Sequence, residues 1–458
     1  MKKMTLQTIA QCTQGSLVLP RGYKGDLNKE IQGVVNDNRQ VQEDFLFVPM
    51  VGARVDGHSF IEDAFSKGAL ATLSEKTLDK PKGPYIKVAD TKLALKQIAT
   101  YYRMQLIIPV IGVIGSVGKT STKEMLASVL GTKFKVLKTE GNFNNEIGLP
   151  LTICRITDEH DVAVVEMGIS DFGEMHRLGQ IAKPNYVVMT NIGQCHLENL
   201  KDRDGILRAK TEVFDHMPST GTVVLNGDDD KLRDCDTKNL NKISYGLSDE
   251  DVSATNIKTQ ITSTCADISI GKDTFYVEIP LPGEHNVMNA LAASAVGKAL
   301  GLTLDEIRTG LENAGTISGR NNVIKLEAAT IIDDCYNANP VSMKASIEVL
   351  AKAKGRTIAV LGDMGELGDD EKALHYGLGK VLADNDIDMV YTTGDLSIEI
   401  NKALEKENPK AVNLHFEGKE KLLEALLPAI EKGDTILVKA SHFMQYSEIV
   451  NALSEKLK

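Results

Sequence analysis

Seven residues, Gly115-Ser116-Val117-Gly118-Lys119-Thr120-Ser121, bring two glycines, a lysine and three hydroxyl side chains together. They follow the apolar run Pro109-Val110-Ile111-Gly112-Val113-Ile114. They precede Met125, Leu126, Val129 and Leu130 at helical spacing, with Gly131 placed to end the helix. A glycine turn between a buried strand and a helix lets backbone N–H groups converge on phosphate oxygens, and the helix N-terminus adds positive potential. In such a turn Lys119 bridges the β and γ phosphates of a bound nucleotide, and Thr120 offers its hydroxyl to Mg²⁺. The full G-x-x-x-x-G-K-[ST] spacing is not met, because Val113 stands where its first glycine belongs. An ordinary glycine-rich strand-to-helix turn is the competing reading.

Two further groups fall at strand ends. Glu166 closes the apolar run from Val162, and its carboxylate suits a hard cation. His196 follows a third apolar run, at 186–190. The strands of one parallel sheet present their C-terminal ends to one crevice, so Thr120, Glu166 and His196 are expected to face a single metal–phosphate centre. A solvated glutamate and a structural histidine are the plain alternatives. Lys210, in Arg208-Ala209-Lys210-Thr211, reads by pattern as a solvated lysine. Asp333 and Asp334 end another strand before Cys335-Tyr336-Asn337-Ala338-Asn339-Pro340. They suit a nucleotide or metal contact and turn capping equally well. Asp363 and Glu366 sit in a glycine-rich loop and read as solvated acids.

The elements that must hold these groups alternate along the chain. After a first region with the run Phe45-Leu46-Phe47-Val48-Pro49 and a helical pattern at Ile61, Ala64 and Phe65, strands alternate with helices. Strands are expected at 110–114, 162–166, 186–190 and 223–225, then at 330–333, 357–361, 389–392 and 435–438. Helices are expected at 289–300, 342–354 and 371–383. The stretch 248–273 suggests a small antiparallel insertion. Short apolar strands between helices predict an α/β protein with parallel sheets. The 458 residues divide into about three domains, expected at 1–105, 106–316 and 317–458.

Composition narrows the partners. A net charge of −11 with no basic face argues against nucleic acid. The six cysteines form no C-x-x-C pair and read as small buried hydrophobes of a protein in a reducing cytosol. No apolar run approaches the ~20 residues that span a bilayer, and the N-terminus lacks an apolar signal core. A cytoplasmic protein is expected.

The ordered strings resemble the Mur ligase family almost from end to end. They are Asp56-Gly57-His58-Ser59-Phe60, the loop at 115–125, Gly141-Asn142-Phe143-Asn144-Asn145-Glu146-Ile147-Gly148-Leu149-Pro150, Glu166-Met167-Gly168, and Asn191-Ile192-Gly193 with His196-Leu197-Glu198. Then follow Pro282-Gly283-Glu284-His285-Asn286 with Asn289-Ala290, Tyr336-Asn337-Ala338-Asn339-Pro340, Gly362-Asp363-Met364-Gly365-Glu366-Leu367-Gly368 and Lys439-Ala440-Ser441-His442. The resemblance implies an N-terminal UDP-substrate domain, a central P-loop ATPase domain and a C-terminal Rossmann-like domain. It implies ATP and one or two Mg²⁺, with Thr120, Glu166, His196 and Lys210 as the metal's residues and Lys210 as a possible carbamate. Lys119, Glu166, His196 and Lys210 become the catalytic set. Gly115, Ser116, Val117, Gly118, Lys119, Thr120, Ser121, Asn289, Arg320, Asp334 and Asn337 become nucleotide contacts. Asn38, Arg39, Asp56, His58, Asn142, Asn144 and Asn145 become substrate contacts. Val117 and Ser121 replace the family's usual Asn and Thr, and Asn38 replaces a usual Ser.

Within the family, the strings at 142–150 and 336–340 imply the reaction that joins D-alanyl-D-alanine to UDP-N-acetylmuramoyl-tripeptide through an acyl phosphate, in peptidoglycan synthesis. A monomer is expected. The rival readings are another Mur-type or folylpolyglutamate-type amide ligase, and a P-loop regulatory NTPase. The N-K-x-D string by which GTP switches read their base is absent.

Overall fold

A computed structural model of the chain describes residues 1–52 and 54–457. Three sheets organise it. The first has five strands in the order Ser16–Val18, Tyr85–Lys87, Ala71–Ser74, Phe45–Phe47 and Gly33–Val35, parallel except at the Ser16–Val18 edge. The helix Thr91–Arg103, capped by the Asp90 carboxylate on Leu93 N–H, leads from it to the second sheet.

The second sheet has nine strands. Val110–Ile114 lies between Val162–Glu166 and Tyr186–Met189, parallel to both. Its five residues are buried, as are those of Val162–Glu166. Both faces are covered by helices, so these strands read as unbroken apolar runs rather than alternating ones. The register matters more than the strand count. Val113 pairs with Glu166, and Ile114 with Met189. Parallel pairing in that register delivers Gly115, Glu166 and Thr190 to the same edge.

The polar stretch at 248–273 does form antiparallel strands, yet it is no separate insertion. Val252–Thr259 runs parallel to Asn241–Gly246, and Thr264–Ile270 and Asp273–Ile279 add to it antiparallel, extending the main sheet.

The third sheet has six strands in the order Asn322–Lys325, Ala329–Asp333, Asp434–Lys439, Thr357–Gly362, Met389–Thr393 and Val412–Phe416. Only the first is antiparallel. The whole is a three-domain α/β protein with mostly parallel sheets. Among the described residues no helix is long and apolar enough to cross a membrane. The cysteines are all free; Cys154, Cys265 and Cys335 are buried, whereas Cys12, Cys195 and Cys235 reach the surface in part and are not the buried hydrophobes expected of them.

The helix that leaves the glycine loop, Lys119–Leu130, is gripped by two others. Glu284–Ala299 is rich in alanine, and its small side chains let it lie close. Leu304–Glu312 approaches through Gly310, where an added Cβ would stand 2.4 Å from Val129 Cα and 2.9 Å from Ser128 O. Backbone cannot yield there as a side-chain tip can. Gly310→Ala is therefore expected to destabilise the central domain by roughly 1–3 kcal/mol despite alanine's better helix propensity. A thermal melt should show the midpoint falling by a few degrees; an unchanged midpoint would contradict this packing.

Candidate active site

The loop at 115–121 is shaped from outside. Gly115 has φ 149°, and a Cβ there would lie 1.9 Å from Thr190 Oγ1. The segment after Tyr186–Met189 holds the loop by its backbone. Ser116 N–H donates to Asn191 O at 3.0 Å, and Val117 N–H to Asn191 Oδ1 at 3.0 Å. Val117 O accepts from Thr190 Oγ1 at 2.6 Å and from Asn191 Nδ2 at 3.1 Å. Ser116 Oγ bridges Gly193 N and O, each at 3.0 Å. Position 117 thus serves through its main chain, which explains how a valine is tolerated where the family usually carries asparagine. Gly118, with φ 83°, turns the chain into the helix.

Three side chains meet at the edge so formed. Thr120 Oγ1 donates to Glu166 Oε2 at 2.9 Å, and Asn144 Nδ2 donates to Glu166 Oε1 at 2.8 Å. Both carboxylate oxygens of a buried glutamate are fixed, and the Glu166 N–H is itself held by Thr139 Oγ1 at 3.0 Å. Asn144, read from the sequence as a substrate contact, rests on Glu166. Its neighbour Asn145 accepts through Oδ1 from the Ile147 and Gly148 N–H groups where the helix Gly148–Cys154 begins, and Asn142 lies exposed.

Two ammonium groups share one carbonyl. Lys119 Nζ donates to Gly115 O at 2.9 Å and to Ser116 O at 3.2 Å, and Lys210 Nζ reaches the same Gly115 O at 3.1 Å. Lys210 is only 2% exposed, so the solvated lysine of the pattern reading is in fact a core lysine. Burial first and Lys119 second push its pKa down to about 8. Burial also lowers Lys119, and the Glu166 charge opposes that shift.

His196 does not join Thr120 and Glu166. Its backbone is left-handed, φ 51°, and its Nδ1 lies 3.0 Å from Glu366 Oε2 of the third domain. Burial lowers its pKa, while Glu366 pulls it back up. Glu366, which the sequence offered only as a solvated acid, is presented deliberately. Met364 N–H donates to the buried His375 Nε2 at 2.9 Å, and Gly365 N–H to Ser441 Oγ at 2.8 Å. A glycine-bracketed acid just past a strand was the available signal.

Of the remaining nucleotide candidates, Arg320 lines a cleft together with Ser121, Met125, His285, Asn286 and Asn321 among others. Asn289 is next to it but engaged inward, accepting from Thr122 Oγ1 at 2.8 Å and donating to Asn286 Oδ1 at 3.0 Å. The sequence reading quoted His285 and Asn286 in a motif without a role, and gave Asn321 none. Arg320 lies over the Tyr336 ring at 4.2 Å. Asp334 is saturated within its own domain by Lys439, Ser346 Oγ and Asn321 N–H. Asn337 is exposed, and its Oδ1 accepts weakly from His442 N–H at 3.4 Å.

The first-domain candidates form a separate group. His58 uses both ring nitrogens internally, Nδ1 on Asp56 at 2.7 Å and Nε2 accepting from Glu75 N–H at 3.2 Å. Asn38 donates to Asp63 at 2.7 Å, and the exposed Arg39 pairs with Asp37.

A strand, a glycine turn, a helix and a lysine at its first residue, with a threonine–glutamate pair beside them, define a P-loop nucleotide-binding protein. Family descriptions cover most of the chain: Mur ligase family, catalytic domain, over residues 30–110; Mur ligase middle domain over 113–297; and Mur ligase, glutamate ligase domain, over 319–442. The chain belongs to the Mur ligase family. It is 39% identical to the UDP-N-acetylmuramoyl-tripeptide–D-alanyl-D-alanine ligase of Bacillus subtilis across 99% of both chains. It is 36% identical to that of Escherichia coli over 94% of this chain and 96% of the relative. The crystal structure of MurF from Acinetobacter baumannii superposes with a TM-score of 0.89 at 34% identity, covering 99% of each chain. MurF of Thermotoga maritima in complex with ADP superposes at 0.83 and 31% identity, over 93% of this chain and 97% of that one.

The loop geometry carries its own test. Gly115→Ala drives a methyl into Thr190 and strains the backbone, which should weaken ATP binding by roughly 5- to 150-fold, the equivalent of about 1–3 kcal/mol. Nucleotide titration with a circular dichroism control reads this; unweakened binding would show that the loop does not need its shape.

Proposed function

We propose that this chain uses ATP to join D-alanyl-D-alanine to UDP-N-acetylmuramoyl-tripeptide, yielding the UDP-MurNAc-pentapeptide of peptidoglycan synthesis. The observation that carries the reading is the Gly115–Ser121 turn with Lys119 at its helix start and the Thr120–Glu166–Asn144 array beside it. Relatives that bear this activity as their name match nearly the whole chain.

A carboxylate is a poor acyl donor, because oxide cannot leave. Phosphorylation by ATP turns that oxygen into phosphate, and the dipeptide amine then attacks the acyl phosphate. The protein's work is positioning and charge neutralisation. Lys119 holds its ammonium beside the turn on two carbonyls, ready to exchange them for phosphate oxygens. Like unit charges 4 Å apart repel by ~4 kcal/mol at an effective dielectric constant of 20, about three decades of rate. A cation at Lys119 offsets that repulsion where the substrate carboxylate nears the γ-phosphate.

The donor set fits Mg²⁺. Thr120 and Glu166 supply hard oxygen ligands, already adjacent. When bound, one or two Mg²⁺ neutralise phosphate charge. Among the described residues no cluster of three or more His, Cys, Asp or Glu could hold a metal by itself; Thr120 and Glu166 would hold it, with His196 and Lys210 as the further candidates. Lys210 would contribute as a carbamate. With a pKa of about 8, roughly a tenth of it is the free amine at pH 7 and half at pH 8. That neutral form would add to CO₂, forming the N–C bond and releasing a proton to leave the carbamate anion.

Residues 1–105 would take the UDP-sugar, with Asn38, Arg39, Asp56, His58, Asn142, Asn144 and Asn145 its candidate contacts. Residues 106–316 would bind ATP, and 317–458 would close over it with Arg320, Asp334 and Asn337. A monomer acting in the cytoplasm completes the reading.

The direct assay is ATP-dependent phosphate release with D-alanyl-D-alanine and UDP-tripeptides carrying lysine or diaminopimelate. Release that needs both partners is expected, and a chain inactive with every pair would refute the reading. Lys119→Ala should lower turnover about a thousandfold while the melting curve stays in place; a folded variant with normal turnover would remove Lys119 from the chemistry. For Lys210 the sign follows from its lowered pKa. The amine is charged below about 8 and free above it, so ¹³C-bicarbonate should give a carbamate NMR signal that grows from pH 7 to 8.5. Lys210→Arg should lack it, and its persistence there would assign the signal elsewhere.

A further inference from the structure

A buried lysine stands behind the loop rather than in it. Lys123 lies one turn after Lys119 on the helix Lys119–Leu130. Its ammonium donates to Thr139 O at 2.7 Å and pairs with Glu124 Oε1 at 2.9 Å. Lys138, the last residue of the strand Val136–Lys138, pairs with the other oxygen of Glu124. Burying an ammonium is costly, and an apolar side chain of similar volume often serves stability as well or better. What an apolar side chain cannot do is hold a carbonyl.

The sheet shows what that carbonyl is for. The strand Val136–Lys138 runs parallel to Val162–Glu166 and ends with Lys138 opposite Val164. Ala163 and Met167 donate their N–H groups to Pro109 O and Val113 O on one side, so the N–H of Glu166 faces the other, where the neighbouring strand has already stopped. Thr139 takes over from the missing strand. Its N–H donates to Val164 O at 3.0 Å, and its Oγ1 accepts from Glu166 N–H at 3.0 Å. A side chain thus replaces a ladder carbonyl, and it is only as well placed as the backbone that carries it. Thr139 is fully buried, and Lys123 holds its backbone by the carbonyl. From Thr139 the chain runs on to Asn144, which donates to Glu166 Oε1. One clamp therefore sits at the start of the segment that fixes Glu166 at both its N–H and its carboxylate.

We propose that Lys123 is a positioning residue for the divalent cation: by clamping Thr139 it keeps the Glu166 carboxylate where, with Thr120, it can take Mg²⁺. The inference rests on the reading in which Thr120 and Glu166 hold that ion. It gives Lys123 a task distinct from that of Lys119, four residues earlier, whose ammonium stands on the carbonyls of the loop itself. Loss of the clamp lowers the gain that Mg²⁺ brings to ATP binding. It leaves the metal-free nucleotide bound to the loop as before, because the contacts that shape the loop run through Thr190, Asn191 and Gly193 on its other side.

The test is equilibrium titration of the full chain with ATP, once in EDTA and once with Mg²⁺, for the wild type, Lys123→Met, Thr139→Val, Thr139→Ser and the Lys123→Met/Thr139→Val double variant. Methionine fills the space without an ammonium, and valine keeps the shape of threonine without its hydroxyl. The wild type should bind more tightly with Mg²⁺. Lys123→Met and Thr139→Val should each cut that gain about tenfold, as loss of an outer contact to a metal ligand does. The double variant should be little worse than either single one, because both break the same chain of contacts. Thr139→Ser keeps the hydroxyl and should keep the gain, and binding in EDTA should be unchanged. Lys123→Leu, titrated the same way, covers a methionine variant that melts early. Weakening by the same factor in EDTA and in Mg²⁺ would mean that only packing was lost, and it overturns the proposal alone. So does an unchanged gain in the Lys123 variants, or a double variant in which the two losses multiply. A wild type that gains nothing from Mg²⁺ overturns the proposal together with the reading it rests on.

Discussion

No side-chain atom fits between Gly115 and Thr190. The rest of the site depends on that closeness. The strand Val110–Ile114 and the strand Tyr186–Met189 are adjacent and parallel, so their ends emerge side by side. Because residue 115 has no Cβ, the segment after the second strand can lie against the turn after the first and hold it through the Thr190 hydroxyl, the Asn191 amide and the Gly193 N–H. The turn is thereby preorganised before any phosphate arrives. Its donors need not be gathered at the moment of binding, where ordering would cost affinity.

Charge is arranged on the same principle. The chain carries −11 overall, yet Lys119 and Lys210 converge on one carbonyl oxygen beside the turn. Burial, the leading cause for both, lowers each lysine, and the Lys119 charge adds to the shift at Lys210. An arriving polyanion supplies the counter-charge that burial denies them. Glu166 is held by Thr120 and Asn144 rather than by either lysine, so its carboxylate and the two ammonium groups stay apart.

Much of this was legible from residue order. Turn, helix and strands along 109–130 and 162–166 could be read because a buried parallel strand is a continuous apolar run, and because glycine marks the place where backbone must approach backbone. The short strands Asn322–Lys325 and Val412–Phe416 were not foreseen; each is an edge strand with part of its surface in water, so its pattern is weak. The helix expected from Asn289 begins at Glu284, because its start at Gly283 has no side-chain cap to announce it. Lys210 was invisible to pattern, since nothing in its neighbours says that the helix Arg203–Thr211 turns that residue inward under the loop. Pairings such as His196 with Glu366 join residues far apart in sequence and from different sheets. Only tertiary geometry brings them together.

That last pair sets the relation between chemistry and domain motion. Glu366 is largely exposed, and an exposed ion pair contributes about 0–1 kcal/mol. It is too weak to lock the third domain onto the second. Both partners adopt left-handed backbone where they meet. A ligand that engages His196 from the phosphate side must compete with Glu366 for the ring. Filling the centre and relaxing this contact are then linked, and by reciprocity the contact lowers affinity at the centre by the same factor. A contact of this strength is one that binding at the centre can displace at little cost.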